Sequence, residues 1–281
     1  MNKGRLIGLV AESHIHVGIG QAADALDLPV AREAVTRFPH VPGSGVKGAL
    51  RVWCGGTGLS DDVDTLFGKA SGGEDDGSDG HAGTILCGEA RLALLPVRCT
   101  SDAYKFATCP MIVNRLLRDL KRVGEKPPAM SLSVPSGKYL GARPDHDVPL
   151  GLEEREFTHA GDLPEGLAAL FAPLAEGAFS QADLGHRIVL LSDADFKWFA
   201  EFGLPVVTRN ALDENKVVKP GALWSEEMLA PDTIMWMVLN ERLSGALAPF
   251  LKAAGETPFV QMGGNETIGQ GWFSMNVLES I

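Results

Sequence analysis

The sequence predicts an α+β fold, on three observations. Aliphatic and β-branched runs of strand length are spread along the whole chain. Segments of helical periodicity interrupt them. The two kinds do not alternate in regular strand–helix–strand units, which argues against a doubly wound parallel sheet. At 281 residues with 45% hydrophobic and 22% charged side chains, the chain can bury one substantial core. No internal repeat is visible, so a single domain over 1–281 is expected.

Taken in order, residues 4–11 (GRLIGLVA) read as a strand, followed by a glycine-punctuated loop from Ser13 to about Asp24. After PHVPGSG, a helix is expected over Val46–Trp53, with Val46, Ala49, Leu50 and Trp53 on one face. Residues 68–82 are rich in Gly, Asp and Ser without apolar periodicity and read as a flexible acidic loop. Strands are expected over Thr84–Cys87 and Ala90–Val97. An amphipathic helix should follow over Met111–Val123, its polar face carrying Arg115, Arg118, Lys121 and Arg122. Residues 124–149 are Pro- and Gly-rich, and 187–191 (RIVLL) read as a buried strand. Ser192 or Asp193 can cap a helix running to Gly203. Residues 205–229 alternate as a long β-hairpin turning at DENK. Thr233–Leu247 reads as strand then helix, and Trp272–Leu278 as a closing strand.

Composition excludes several classes. No apolar run approaches the ~20 residues that span a bilayer. The opening stretch MNKGRLIGLVAES is too short in apolar residues for a signal peptide, so a cytoplasmic protein without membrane contact is expected. Cys54, Cys87, Cys99 and Cys109 contain no CxxC pair, which argues against a zinc site or a disulfide framework. The net charge of −11 counts against nucleic-acid binding, although the placement of the basic residues decides more than their sum.

Three segments carry candidate chemistry. In SHIHVGIG, Gly18 and Gly20 let backbone approach a ligand, and His14 and His16 share a strand face suited to phosphate contact, acid–base work or metal ligation. A strand end with satisfied histidines is the competing reading. In LDLPVAREAVTRFPHVPGSGVKGALR, a Gly43-Ser44-Gly45 loop enters a helix bearing Lys47 and Arg51 at i, i+4. Free N–H groups, the helix dipole and two cations on one face suit a sugar–phosphate backbone, with Arg32 and Arg37 nearby. The spacing is not that of a nucleoside-triphosphate loop, and an ordinary helix with a solvated basic face remains the alternative. In FVQMGGNETIGQGWF, four glycines fall within 263–271 between apolar flanks. So dense a cluster implies positive φ and close backbone approach, either to a ligand or at a tight sheet-edge loop.

These segments resemble the RAMP superfamily. Its glycine-rich C-terminal signature is similar to GGNETIGQG, and its proline-flanked glycine–serine–lysine segment is similar to PHVPGSGVKGALR. LDLPVARE (26–33), HAGTILCGEARLALLPVR (81–98), ATCPMIVNRLLRDL (107–120) and LDENKVVKPGALWSEEMLAPDT (212–233) resemble, in order, segments of one branch, the backbone subunit of type III-B (Cmr) CRISPR effector complexes.

The resemblance implies a modified ferredoxin-like (RRM-like) palm with a β-hairpin thumb at 205–229. It also implies stacking of copies as a helical filament on a CRISPR guide RNA, alongside other subunits of the complex. Each thumb would kink the guide–target duplex, and complementary target RNA would be cut beside each kink with a divalent metal ion, Mg2+ or Mn2+. The catalytic and metal-binding carboxylate is then Asp27, with Asp24 as a nearby competitor and His16 as a second catalytic candidate. RNA contacts are expected from Gly18, Arg32, Ser44, Lys47, Arg51, Arg209, Lys216, Gly263, Gly264, Asn265, Gly269 and Gly271, with Lys219 alongside. Departures are Gly45 where a second serine is common, and Ala34 and Val35 where polar residues often follow the Arg-Glu pair. The alternatives are a filament subunit that binds guide RNA without cutting, a processing endonuclease for precursor CRISPR RNA, and an acidic enzyme acting on a phosphorylated small molecule.

Overall fold

The strand Gly4–Ala11 organises the main sheet. The structure, a computed structural model, describes residues 4–20, 26–70, 80–143 and 148–278. Gly4–Ala11 pairs antiparallel with Ile234–Glu241 on one side, Leu6 opposite Val238, and with Trp272–Val277 on the other, Leu9 opposite Met275. Both of its faces are covered, which is why it reads as a continuous apolar run rather than an alternating one. Phe259–Gln261 forms the edge beyond Trp272–Val277.

On the opposite side, Ile234–Glu241 pairs antiparallel with Ala90–Arg98 and, at its far end, with Ile85–Cys87. These are the two strands expected over 84–97. They lie end to end along one neighbour, and Gly88 N–H donates to the Val238 carbonyl across the break (2.9 Å). The sheet continues through Tyr104–Thr108, Ile188–Leu191, Lys138–Gly141, Arg155–Gly161 and Leu150–Leu152. Two of these pairings are parallel, Ile188–Leu191 with Tyr104–Thr108 and Arg155–Gly161 with Lys138–Gly141, so the sheet is mixed.

Pro110–Val123 packs over the central strands, burying Ile112, Val113, Leu116, Leu117 and Leu120. Proline in its first turn and Gly124 at φ 97° beyond its end match the preferences of helix termini. Its buried Asp119 is satisfied by Trp236 Nε1–H and the Arg91 guanidinium, both at 3.0 Å. Asp193–Phe202 is capped by Ser192, whose hydroxyl accepts from Asp195 N–H, while Asp193 accepts from Met111 N–H at the start of the neighbouring helix.

Three expectations are corrected. The first helix runs Gly43–Gly55, so the Gly-Ser-Gly stretch is its first turn and not a loop before it. The helix expected within 233–247 begins only at Ala248 and runs to Glu256. Gly245 at φ 86° and the Glu241 carboxylate, which accepts from Gly245 and Leu247 N–H, hold the intervening residues as a turn. The ends of the acidic stretch at 68–82 pair as a short ribbon, Gly68–Lys69 with His81–Ala82, and 71–79 lie outside the described residues.

The expected hairpin forms from Val206–Leu212 and Val218–Glu227, paired with each other outside the main sheet. Its turn is pinned by Asp213, whose carboxylate accepts from Asn215 and Val217 N–H, with Lys216 at φ 61°.

Gly8 marks a close approach on the central strand. A Cβ there would lie 2.2 Å from the Leu174 carbonyl oxygen and 2.5 Å from its Cα, because the short turn Ala172–Ala175 rests directly on the strand. Gly8→Val should therefore destabilise the fold by about 2 kcal/mol or more through overpacking, read as a lower midpoint in denaturant unfolding.

Candidate RNA interface

The second strand of the hairpin ends in Ser225-Glu226-Glu227, and all three side chains turn towards other segments. Leu28 bridges Glu226 in parallel register, Leu28 N–H donates to the Ser225 carbonyl (3.1 Å), and Glu227 N–H donates to the Leu28 carbonyl (3.0 Å). Residues 27–30 are thereby laid along the hairpin base. Asp27, the expected catalytic residue, is exposed at the start of this segment. Its Oδ2 accepts from both the N–H and the hydroxyl of Ser225, each at 2.8 Å, and its own N–H donates to Ser225 Oγ (3.0 Å). Hydrogen bonding from the Ser225 backbone, reinforced by its side chain, holds the Asp27 carboxyl below its ordinary 3.8. Asp24 lies outside the described residues.

Glu226 and Glu227 are both buried. Glu226 accepts from Arg209 (2.9 Å) and from Asn265 Nδ2 (2.6 Å), and Arg209 also donates to Asn265 Oδ1 (2.8 Å). Burial pushes the Glu226 carboxyl up, but the Arg209 and Asn265 hydrogen bonds outweigh it and hold the group below its ordinary 4.5. Glu227 faces a different segment. It accepts from Val30 N–H (3.0 Å) and pairs with Arg32 (2.5 Å).

His16 joins the same cluster. Its Nδ1 donates to the Glu227 carbonyl (2.8 Å), which fixes the hydrogen on that nitrogen, and its Nε2 stands 3.6 Å from Glu226 Oε1. The side chain is only 10% exposed. This arrangement gives His16 a supporting place and does not favour direct proton transfer to RNA. Gly18 leaves room for the ring, since a Cβ there would come within 2.5 Å of His16 Nε2.

The glycine-rich loop folds back onto the N-terminal segment. Gly264 N–H donates to the His16 carbonyl (2.8 Å) and Gly271 N–H to the His14 carbonyl (2.9 Å). Gly263, at φ 98°, would place a Cβ 2.5 Å from the His16 carbonyl oxygen, so its glycine serves internal packing. Gly269, at φ 79°, has open space where a Cβ would stand. It is the position where close approach to a ligand is sterically free.

The first helix presents Ser44 and Lys47, both exposed, with Lys47 lining a separate groove beside Gly68, His81 and Cys87. Gly45, Gly48 and Val52 of the helix share a groove with Gly263, Phe259 and Trp272, and the two aromatic residues are 50% and 40% exposed. Lys216 is exposed at the hairpin turn. Two expected contacts point elsewhere. Arg32 has a side chain only 5% exposed, bound by Glu227 and by the carbonyls of Arg37, Ala200 and Glu201, so its guanidinium is committed to partners within the fold. Arg51 pairs with Asp64 and donates to the Gly68 carbonyl, which draws its guanidinium onto a neighbouring helix, Val63–Phe67. Sequence reasoning passed over Ser225, Glu226 and Glu227. The available signal was a pair of consecutive glutamates closing an otherwise β-prone arm, where alternation would place one of them inward.

No group of three His, Cys, Asp or Glu side chains able to hold a metal ion occurs among the described residues. Asp27 supplies one hard, ionised oxygen ligand and fits a metal only as one of several donors, the others being water or substrate oxygens.

This geometry can be set beside known proteins. The model of the RAMP superfamily matches residues 9–274. The chain belongs to that superfamily. Among RAMP relatives, it is 28% identical over 293 residues to the CRISPR system Cmr endoribonuclease Cmr4 of Pyrococcus furiosus, covering 99% of this chain and 96% of the relative. The fold matches the crystal structure of oligomeric Cmr4 from the same organism at a TM-score of 0.75 and 23% identity, covering 100% of both chains. It also matches a chain in the cryo-electron-microscopy structure of the type III-B Cmr-beta complex bound to cognate target RNA. That TM-score is 0.73 at 21% identity, covering 98% of this chain and 96% of the other.

Glu227→Ala should strip the buried Arg32 guanidinium of its partner and cost about 3–5 kcal/mol in denaturant unfolding. The pH dependence has a fixed sign. The Glu226 carboxyl is lowered on folding, so its stabilisation is complete above the unfolded value of 4.5 and is lost as pH falls through the folded value. Glu226→Gln should flatten the acid side of the stability curve, measured by unfolding between about pH 3 and pH 6.

Proposed function

We propose that this chain is a guide-RNA-binding backbone subunit of a type III-B CRISPR effector complex, and that it cuts complementary target RNA beside Asp27. The observation that carries this reading is an exposed, ionised Asp27 fixed to the base of a projecting hairpin, in a RAMP chain whose near-full-length relative is named an endoribonuclease.

The strand order supports a ferredoxin-like palm. Gly4–Ala11 lies between Trp272–Val277 and Ile234–Glu241, with Ala90–Arg98 beyond, all antiparallel. With the helices Gly43–Gly55 and Ala248–Glu256 in the intervening connections, this is the order expected of a β-α-β-β-α-β unit with inserted segments. The hairpin springs from the insertion between the second and third of these strands and plays the thumb. Ser44, Lys47 and the N-terminal N–H groups of the first helix face phosphates, and the region around Gly269 accepts a close-lying strand.

In the cut, the 2′-oxygen of the target attacks the adjacent phosphorus as the bond to the 5′-oxygen breaks. The 2′-hydroxyl loses its proton and the departing oxygen gains one. A regular A-form helix forbids the in-line geometry this needs, and a strand kinked over the hairpin can reach it. A carboxyl held below 3.8 is a weak base at neutral pH, so Asp27 acts through its fixed negative charge. It would hold a magnesium or manganese ion together with RNA oxygens, and that ion supplies charge neutralisation at the phosphate when bound. The buried His16 ring disfavours the precursor-processing alternative, which relies on histidine chemistry.

Guide RNA, the other subunits of the complex and further copies in a filament are the expected partners, in a cytoplasmic setting. Among the described residues no helix is long and apolar enough to cross a membrane.

The test is assembly with guide RNA and partner subunits, followed by end-labelled complementary RNA and magnesium or manganese on a sequencing gel. Wild type should give cuts at regular intervals. Asp27→Asn should protect the target equally well and give none. Cutting by Asp27→Asn would remove Asp27 from the mechanism, and protection without cuts in both samples would make the chain a scaffold.

A further inference from the structure

The Asp27 carboxylate is unusual in how it is held. It is exposed to solvent, yet one of its oxygens receives two hydrogen bonds from a single residue on a different element, at 2.8 Å each. The same residue, Ser225, accepts the Asp27 N–H through its hydroxyl at 3.0 Å. Ser225 Oγ therefore acts as acceptor and donor at once, and its own N–H completes a three-bond clasp. No hydrogen bond from another described residue reaches Oδ1, so the two carboxylate oxygens differ. Oδ2 is fixed by Ser225, and Oδ1 carries no such bond on an exposed residue.

The clasp is the first rung of a longer attachment. Leu28 pairs with the residues on either side of Glu226, and Val30 N–H is held by the Glu227 carboxylate. Glu226 and Glu227 are buried, but Ser225 and Asp27 lie at the open end of the ladder, where the hairpin leaves the body. The position of Asp27 is accordingly tied to the hairpin root through the half-buried Ser225, and not to the main sheet.

We propose that Ser225 is the positioning residue of the cut: it clamps Oδ2 of Asp27 to the root of the hairpin, so that the hairpin and the carboxylate meet the kinked RNA as one rigid unit with Oδ1 presented to it. This rests on the reading of Asp27 as the carboxylate of the cut. A carboxylate on an exposed segment samples many rotamers unless something holds it, and misplacement of a reacting group by about 1 Å can cost on the order of a hundredfold in rate. The Ser225 N–H is retained in any substitution except proline. Ser225→Ala thus removes the hydroxyl part of the clasp alone and leaves the strand pairing in place. Threonine retains the hydroxyl on a residue that suits a strand.

The experiment compares wild type, Ser225→Ala, Ser225→Thr and Asp27→Asn in the assembled complex with guide RNA. Cleavage rate constants are measured at saturating target, and target affinity is measured separately. Ser225→Ala should lower the saturating rate about tenfold or more with target affinity unchanged, and Ser225→Thr should restore most of it. Added to Asp27→Asn, the alanine change should have no further effect, since the group it positions is already gone. Wild-type rates in Ser225→Ala, alongside an inactive Asp27→Asn, would overturn the positioning role while leaving Asp27 in place. Loss of target affinity in Ser225→Ala would overturn it too, by making Ser225 a structural or binding residue. Cutting by Asp27→Asn would instead bring down the reading on which the inference rests.

Discussion

Two consecutive buried glutamates hold this molecule's working parts together. In a strand, neighbouring side chains point to opposite faces, so Glu226 and Glu227 cannot serve the same partner. Glu226 faces the glycine-rich loop and His16 through Arg209 and Asn265, while Glu227 faces the segment carrying Arg32 and Val30. The hairpin root thus joins segments that lie near residues 16, 30 and 265 of the chain. A buried carboxylate without partners would be strongly destabilising, and this requirement makes the arrangement specific. Each glutamate is tolerable only when its own set of donors is in place.

Charge distribution follows from the same constraint. Many arginines serve the fold: Arg32, Arg51, Arg91, Arg98, Arg115, Arg155 and Arg209 are all ion-paired within the chain. Arginine suits this because its planar fork meets carboxylates and carbonyls with several donors at once. The exposed groups suited to phosphate are lysines such as Lys47 and Lys216, together with backbone N–H at the start of the first helix. A net charge of −11 is compatible with such a surface, because the field at one face depends on where its charges are placed and not on the overall balance.

The glycines divide by what surrounds them. Gly263 is required because the His16 carbonyl passes where a side chain would be, whereas Gly269 is required by its backbone angle and opens onto free space. A glycine-rich motif therefore mixes positions that pack the loop against its own chain with positions that open onto free space. Only the second kind speaks directly of binding.

The sequence by itself determined the local elements whose signals are local. The aliphatic run at 4–11, the amphipathic pattern at 111–123 and the DENK turn of the hairpin were all legible, because periodicity and turn chemistry act between near neighbours. The ordered motifs also raised the expectation that Asp27, the first helix and the glycine-rich loop belong to one site, and the fold joins Asp27 and the glycine-rich loop through the hairpin base. Tertiary structure decided the rest. Short strands such as Tyr104–Thr108 and Leu150–Leu152 are set by their pairing partners more than by their own composition. The inward turn of Arg32, the capture of Arg51 by Asp64 and the clasp of Ser225 on Asp27 join residues distant in sequence. Whether a cation faces solvent or a buried carboxylate depends on what the fold brings to it, and no window of sequence contains that partner.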